Sequence, residues 1–438
     1  MKAEHRKTYH IVTFGCQMNA HDSEKLAGIL QNMGYSLATD TTDAGLVVFN
    51  TCCVRENAEN KVYGHLGYMK HLRQTNPGLL VAVGGCMPQQ ESAMQRLIKD
   101  GAADIIFGTH NLHTFGELLT KAVDGGERVS EIWSEAPEVH SEYLATVRET
   151  PWRSGINIMY GCDNYCSYCI VPYVRGRERS REVADILAEA RALLDDGVVE
   201  IMLLGQNVNS YAYGFPALLR ELSKLGAPRI RFMTSHPKDL SRELIAAVKE
   251  CDNICRHIHL PVQSGSNNVL AAMNRGYSRE HYLNILEDLR REMPDMTVTT
   301  DIIVGFPGES EADFADTLDL VRRARFGGAF TFLYSKRTGT KAADMDKQVD
   351  ADVANERFMR LLDTLNPIAL EINKDAEGKT VRVLVDKLDK NTYTGRADNN
   401  LPVHFPNNPE TTGPPLLGQI VPVRITQAKT FFLIGELS

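Results

Sequence analysis

The sequence lacks the features that carry a chain into or across a membrane. No run of about 18 apolar residues occurs, and the first residues, MKAEHRKTYH, are polar where a secretion signal would be apolar. The chain also has no excess of positive charge, because 48 lysines and arginines stand against 56 aspartates and glutamates. A negative total argues mildly against a nucleic-acid partner, although local patches of charge rather than totals decide such binding. These absences predict a cytoplasmic protein and leave the partner open.

The cysteines do not suit a disulfide framework. They number nine, an odd count, and Cys52 and Cys53 are adjacent in NTCCVREN. Adjacent residues cannot easily reach the geometry that a disulfide requires. Seven of the nine follow predicted strands, which in a cytosolic chain favours metal binding over disulfides.

The hydrophobic period divides the chain into three expected domains, 1–145, 146–376 and 377–438. The first two alternate strand-like and helix-like runs, which is typical of parallel α/β structure. A segment rich in Glu, Pro, Ser and Thr, 134–153, is interpreted as the linker between them. The third domain changes to a period of two. Strands are predicted at 9–14, 45–50, 79–85 and 103–108, at 156–161, 199–205, 229–235, 256–262, 298–305 and 329–335, and in five runs between 380 and 437.

The expected fold follows from these runs. Four strands predict an N-terminal parallel α/β domain, and the next six predict a partial (β/α)6 barrel related to the TIM barrel. The C-terminal runs predict a small antiparallel β-barrel, a type that often binds oligonucleotides. A purely structural β appendage is the alternative for this last domain.

The segment GCDNYCSYC carries three cysteines immediately after the first barrel strand, Cys162, Cys166 and Cys169. Three thiolates at this spacing can hold three irons of an iron–sulfur cube and leave the fourth iron without a protein ligand. An open coordination position indicates chemistry at the metal. The alternative, a structural zinc site, needs a fourth ligand, which the neighbouring sequence does not supply.

Three further predicted strands are also followed by cysteine: Cys16, then Cys52 and Cys53, then Cys86. The carboxyl ends of parallel strands share one edge of a sheet, so these thiols are expected to converge on a second metal site. The offset from the strand favours Cys52 over Cys53 as the ligand. Buried free thiols are the alternative. Cys251 and Cys255 are interpreted as packing thiols.

The barrel strands are followed by polar groups and tight turns, at the rim where parallel barrels build their active sites. GFPGE, residues 305–309, offers a glycine-rich backbone able to approach a planar ligand closely. The arginines of RGRERSR, 175–181, are candidates for binding a phosphate or a carboxylate, or for a solvated helix start. The residues expected to contact a cofactor at this rim are Gln206, Asn207, Ser235, Gln263, Gly305 and Pro307.

The CxxxCxxC motif resembles that of radical S-adenosylmethionine enzymes. Together with GCQMN, NTC, GGCMPQ and YCSYCIVPYVRGRERSR, it resembles the methylthiotransferases of that superfamily over essentially the whole chain. LLGQNVNSY, TSHP, LPVQSGS and TGRADNN are similar to the tRNA branch, which makes 2-methylthio-N6-dimethylallyladenosine. The branch that modifies a ribosomal-protein aspartate has a QDTS-type sequence where this chain has QNVNS.

The resemblance implies that Cys162, Cys166 and Cys169 hold a radical-generating 4Fe–4S cluster whose free iron binds S-adenosylmethionine. It implies that Cys16, Cys52 and Cys86 hold an auxiliary 4Fe–4S cluster, and that the C-terminal domain is an RNA-binding TRAM domain. The implied partners are tRNA, a sulfur donor and an electron donor of flavodoxin or ferredoxin type, for a protein expected to be a monomer. Two molecules of S-adenosylmethionine would serve, one as methyl donor and one as source of a 5′-deoxyadenosyl radical.

Three other interpretations remain open from the sequence. A sister methylthiotransferase acts on N6-threonylcarbamoyladenosine in tRNA and would need a polar pocket in place of an apolar one. An iron–sulfur electron carrier would explain both cysteine trios without catalysis, and a zinc-stabilised RNA-binding protein would need no iron. The loop between Tyr213 and the next predicted helix is shorter than in relatives, which leaves any substrate contacts of that loop undefined.

Overall fold

A computed structural model describes residues 5–53, 56–135, 146–407 and 415–438. They fall into two compact units: a first unit of 1–149, 159–165 and 169–181, and a second unit of 150–158, 166–168 and 182–438. Half of the predicted linker, 134–153, falls on 136–145, which lie outside the described residues. Among the described residues no helix has the length and apolar character needed to cross a membrane.

The first unit is built on a parallel sheet. Its elements are β1 (Thr8–Thr13), α1 (Gln17–Asn32), β2 (Ser36–Leu37), β3 (Leu46–Thr51), α2 (Glu56–Leu72), β4 (Leu80–Gly85), α3 (Glu91–Asp100), β5 (Ile105–Phe107), α4 (Phe115–Gly125) and β6 (Val129–Glu131). The strand order is β2-β1-β3-β4-β5-β6. Successive residues of β3 enter two different core clusters, Val47 and Phe49 in one and Leu46 and Val48 in the other. Both faces are therefore covered, which explains the uninterrupted apolar strands.

The predicted strands of this sheet are confirmed, and two short edge strands, β2 and β6, were not predicted. Both are two or three residues long and contain serine, so they carry no period-two apolar pattern. Their pairing depends on the neighbouring strand rather than on their own composition.

The barrel strands run parallel in chain order. The elements are β7 (Arg153–Asn157), β8 (Met159–Tyr160), α5 (Val171–Arg175), β9 (Arg179–Ser180), α6 (Val183–Asp195), β10 (Glu200–Leu204), α7 (Phe215–Lys224), β11 (Arg229–Phe232), α8 (Arg242–Glu250), β12 (His257–His259), α9 (Asn267–Ala272), α10 (Arg279–Glu292), β13 (Thr297–Val304), α11 (Glu311–Ala324) and β14 (Gly328–Leu333). In the second unit, β7, β10 and β11 form one parallel group and β12, β13 and β14 another. A bridge between Ile230 and Ile254 joins the groups. Six parallel strands with intervening helices confirm the partial (β/α)6 barrel.

One predicted strand, 156–161, is in fact two elements. β7 ends at Asn157, whereas β8 leaves that sheet and pairs antiparallel with β9 in the first unit. Gly161 follows with φ +74°, and a Cβ at this position would lie 2.0 Å from the carbonyl oxygen of Arg177. The prediction of one strand was wrong because continuous apolar composition does not reveal where the chain changes partner.

The chain ends in a long helix and a closed barrel within the second unit. These elements are α12 (Ala351–Lys374), β15 (Thr380–Asp389), β16 (Thr392–Ala397), β17 (Pro402–Pro406), β18 (Ile420–Ala428) and β19 (Leu433–Leu437). The strand order is β15-β16-β17-β19-β18. The small barrel is confirmed, but the purely antiparallel form was wrong, since β17 and β19 pair in parallel. An odd number of strands cannot close a barrel through antiparallel pairs alone.

Candidate active site

The first unit brings the ends of three cysteine-bearing strands together. Cys16 caps α1 just after β1, Cys52 follows β3, and Cys86 follows β4. These are neighbouring strands, and the Cys86 amide donates a hydrogen bond to the Thr51 carbonyl at 3.0 Å. The Asn19 side chain, on the first turn of α1, donates to the same carbonyl at 2.8 Å. The structure therefore places all three predicted ligand positions at one edge of the sheet.

Gly15 shows how tightly the first two of these positions pack. It has φ +117°, and a Cβ there would lie 2.6 Å from the Cys52 Cβ and 2.9 Å from the Cys52 Sγ. A side chain at this position would both strain the backbone and occupy the space of the Cys52 thiol. The glycine before Cys16 thus serves the approach of Cys52.

Cys53 and Cys86 form a thiol pair beside a buried arginine. Cys53 is fully buried and packs with Ile170 and Val174. Its thiol donates a hydrogen bond to Cys86, which raises the pKa of Cys53, as burial also does. The same bond lowers the pKa of Cys86 against the effect of burial, and the positive charge of Arg175 lowers it further. The hydrogen bond and the arginine therefore favour the thiolate form at Cys86 over Cys53.

Arg175 places a buried positive charge at this edge of the sheet. Its guanidinium is buried and donates to Asn19 Oδ1 at 3.2 Å and to the Asp22 carboxylate at 3.1 Å. It also interacts with the charges of Cys86 and Cys16. Of the arginines in RGRERSR, Arg175 is therefore buried among residues of the first unit, whereas Arg177 is exposed and pairs with Asp163. Neither residue starts a helix, because Arg175 is the last residue of α5 and Arg177 lies between α5 and α6.

The thiols of Cys16, Cys52 and Cys86 lie at one sheet edge but are not arranged around one metal position. In the described parts of the chain, no three Cys, His, Asp or Glu side chains are arranged to hold one ion. None of the nine cysteines, all of which are described, is in a disulfide. The donor set itself, three thiols at one sheet edge with a neutralising arginine, fits an iron–sulfur cluster.

The CxxxCxxC segment lies in the loop between β8 and α5. In the first unit, the Cys162 amide donates to the Gly176 carbonyl at 3.1 Å. In the second unit, Cys166 is buried and accepts a hydrogen bond from Arg275 Nη1 at 3.3 Å. Ser167 is fixed by the carbonyls of Met273 and Ala272. Cys169, the third predicted ligand, is half-buried and belongs to the first unit.

The rim of the barrel holds buried polar atoms without partners. Ser235 Oγ, Asn207 Oδ1 and Gln263 Oε1 have no hydrogen-bond partner among the described residues. Gln263 also has φ +69°, an unusual conformation for a residue with a side chain. An unpaired buried polar group costs about 1–3 kcal/mol, so three at consecutive strand ends indicate a polar ligand. The site fits S-adenosylmethionine in this respect. Gln206, half-buried, lies beside Asn207.

His236 adds a donor to the same rim. Burial, with Arg275 and Lys238 nearby, lowers the pKa of His236 to about 2, so the ring is neutral. Its Nδ1 accepts a hydrogen bond from the Lys238 amide at 3.2 Å, which leaves the proton on Nε2. Nε2 has no acceptor within the described chain.

The GFPGE turn is fixed by packing against α12. A Cβ on Gly305, which has φ +76°, would lie 2.8 Å from the Ala354 Cβ. The Gly305 amide donates to Glu309, whose carboxylate pairs with Arg357 of α12 at 3.0 Å. Pro307 is buried in this turn. The structure thus gives Gly305 a packing role, and cofactor contact by Gly305 and Pro307 remains a prediction.

Sequence reasoning missed Arg275 and the thiolate-facing role of Arg175. Arg275 is buried and reaches Cys166, the Pro261 carbonyl and Tyr277. The available signal was a single arginine within the otherwise apolar and small run VLAAMNRGY. Long cationic side chains are rarely buried unless they are paired, but the sequence does not name the partner.

Comparison with known proteins identifies three matching segments. Residues 156–321 match the radical SAM superfamily, 8–108 match uncharacterized protein family UPF0004, and 374–438 match the TRAM domain. Among solved structures, the radical S-adenosylmethionine methyltransferase TsrM from Kitasatospora setae has a TM-score of 0.57 at 15% identity. That alignment covers 77% of this chain and 74% of the other. The fold and its cysteine loop define a radical S-adenosylmethionine enzyme.

Two relatives narrow the assignment. A tRNA-2-methylthio-N(6)-dimethylallyladenosine synthase of Alkaliphilus oremlandii is 52% identical, covering 98% of this chain and 93% of that protein. The protein of that name in Clostridium tetani is 50% identical, with 98% and 96% covered. The chain belongs to the family of tRNA-2-methylthio-N(6)-dimethylallyladenosine synthases. Its cofactors are accordingly iron–sulfur clusters and S-adenosylmethionine, and its TRAM domain indicates RNA binding.

Proposed function

We propose that the chain methylthiolates C2 of N6-dimethylallyladenosine at position 37 of tRNA, next to the anticodon. The product is 2-methylthio-N6-dimethylallyladenosine. Two molecules of S-adenosylmethionine, a sulfur donor and a flavodoxin- or ferredoxin-like electron donor are consumed by a monomer. A tRNA substrate would place the protein in the cytoplasm. The observation that carries the proposal is the presence of both cysteine trios in a chain that is 52% and 50% identical to two tRNA-2-methylthio-N(6)-dimethylallyladenosine synthases.

The two trios divide the cofactors between them. Cys162, Cys166 and Cys169 would hold the radical-generating cluster, and three strand-end cysteines, Cys16, Cys52 and Cys86, would hold the auxiliary cluster. When bound, these groups and S-adenosylmethionine would supply the reductive carbon–sulfur cleavage whose radical an unactivated C2–H requires, and the methyl group for the sulfur. The protein's residues orient the cofactor at the rim and exclude water.

Cys52 is proposed as the ligand in preference to Cys53. Cys53 donates a hydrogen bond from its thiol to Cys86 and packs against the side chains of Ile170 and Val174, as a buried neutral thiol does. Cys52 packs against Gly15, the residue before the ligand Cys16. Arg175 would offset part of the negative charge that three thiolates bring to this edge.

Mass spectrometry of tRNA nucleosides tests the function. In a strain lacking the gene, N6-dimethylallyladenosine should accumulate without its methylthio group. The intact gene and the Cys53→Ala variant should restore that group, whereas Cys162→Ala and Cys52→Ala should not. Cys251→Ala, which removes a buried thiol outside both trios, is the matched control and should restore it.

Two outcomes would contradict the proposal. Loss of the methylthio group from the threonylcarbamoyl nucleoside would show the sister activity. No change in any tRNA nucleoside would exclude tRNA as the substrate and return attention to the ribosomal-protein branch.

A further inference from the structure

One wall of the barrel interior carries an exposed aromatic ring. Residues of β13 alternate: Val298, Thr300, Ile302 and Val304 are buried, and Thr300 contacts Tyr282 of α10, so this face points to the helices. The intervening residues, including Thr299 and Asp301, point to the barrel interior. Asp301 is the cross-strand partner of Phe330 on β14, so Phe330 shares the interior face.

Phe330 differs from the other phenylalanines close to it in the chain. Its side chain is 57% exposed, whereas Phe306, Phe314 and Phe326 are fully buried. Its ring meets the edge of the His259 ring, with centroids 5.8 Å apart and planes at 73°. A phenyl group held in this way on an interior wall presents an apolar surface to whatever enters the barrel.

A directed chain of hydrogen bonds fixes His259 and Asp301. Burial lowers the pKa of His257 to about 3, so this ring is neutral. His257 Nε2 lies 2.9 Å from Thr299 Oγ1, and Thr299 Oγ1 lies 3.0 Å from His259 Nδ1. His259 Nε2 then lies 3.3 Å from Asp301 Oδ1. Because a carboxylate accepts, His259 donates from Nε2 to Asp301, and Thr299 Oγ1 bridges the two imidazole rings.

This wall lies directly beneath the cofactor rim. The Gln263 amide donates to the Asp301 carbonyl at 2.8 Å, and the Ile303 amide donates to the Gln263 carbonyl at 2.9 Å. A base whose C2–H faces the rim would point its N6 substituent away from the rim and towards the interior, because C2 and C6 are separated by N1 and their outward bonds diverge. His259 contacts Oδ1 of Asp301, and the Asp301 side chain remains 25% exposed.

We propose that Phe330 and Asp301 bind the target nucleoside. Phe330 packs against the N6-dimethylallyl group, and Asp301, held by His259, accepts the N6–H. This assignment rests on the proposed function and adds the residues that select the substrate. An apolar ring beside the N6 substituent favours a dimethylallyl group and disfavours a threonylcarbamoyl group, whose carboxylate would approach the carboxylate of Asp301.

Binding of tRNA to the reconstituted holoenzyme separates the two contacts. The probes are prenylated tRNA and the same tRNA with unmodified adenosine at position 37. The wild type should bind the prenylated form more tightly. Phe330→Ala should remove about tenfold of that preference, the scale of a lost apolar contact, while Phe330→Leu keeps most of it. Asp301→Asn should weaken both tRNAs alike, because both carry N6–H.

The controls keep failure of the inference apart from failure of the function. Met359→Ala removes a side chain that is also 57% exposed, but on α12, and it should change neither affinity. Iron content and the thermal melt of each variant report folding. If Phe330→Ala lowers both affinities equally or changes neither, the proposed contact with the dimethylallyl group is wrong and the proposed function stands. If the wild type shows no preference for prenylated tRNA, the proposed substrate itself is wrong.

Discussion

The polar groups at the two ends of the barrel strands differ in whether they have partners. At the amino ends of β7, β10 and β11, charged side chains are paired with one another and with the C-terminal barrel. At the carboxyl ends, Asn207, Ser235 and Gln263 present buried oxygen atoms that have no partner among the described residues. A paired end indicates structure, and an unpaired end indicates a ligand.

Glu200 is the centre of the paired end. It lies between three arginines in the register of the sheet, with Arg231 Nε at 2.7 Å, Arg153 Nε at 2.9 Å and Arg229 Nη1 at 3.6 Å. Arg231 and Arg229 continue to the backbone carbonyls of Asp398 and Arg396 at 3.0 and 2.9 Å. The RNA-binding barrel is thereby fixed to the catalytic barrel by directional bonds, at the end of the strands opposite to the rim.

The largest expected effect is at this paired end. Glu200→Gln removes the carboxylate that pairs with the buried Arg231, whereas Arg153 and Arg229 keep Asp386 and Asp398 as partners. Removing one partner of a buried ion pair costs about 3–5 kcal/mol. We expect the free energy of unfolding, measured by denaturant titration, to fall by that amount. Glu243→Gln, which removes an exposed partner of Arg220, is the control and should leave the stability unchanged. Equal stabilities of the wild type and Glu200→Gln would show that the cluster is not structural.

A smaller effect is expected from acid. Burial would raise the pKa of Glu200, but Arg231, Arg153 and Arg229 outweigh burial and hold it below its ordinary value of 4.5. The unfolded chain therefore takes up the proton first as the pH falls. The stability from Glu200 is fully present above about pH 4.5 and is lost as the pH falls through the folded pKa.

Unfolding measured between neutral and acid pH checks this linkage. The stability difference between the wild type and Glu200→Gln should shrink as the pH falls below the ordinary glutamate pKa. A difference that stays constant with pH would mean that the charge of Glu200 does not contribute.

The sequence could predict the unpaired end but not the paired one. Gln263 and Ser235 could be placed at the rim because polar residues directly after an apolar run mark the rim of a parallel barrel; their contact with the cofactor stays a prediction. Glu200 and Arg231 stand inside strands, where the apolar pattern places the strand but does not tell which charges meet. Their partners, such as the carbonyl of Asp398, are more than 160 residues away. For the same reason Arg275 was missed although Cys166, which it contacts, was predicted.

The smallest expected effect on stability is at the unpaired end, at Ser235. Ser235→Ala removes a buried hydroxyl that has no partner in the described residues. The free energy of unfolding should therefore stay the same or rise slightly, because nothing is left unsatisfied. Binding of S-adenosylmethionine to the reconstituted holoenzyme should weaken by about fivefold, the value of about 1 kcal/mol for one hydrogen bond. Lower stability with unchanged binding would place Ser235 with Glu200, as a structural residue, and would remove it from the cofactor rim.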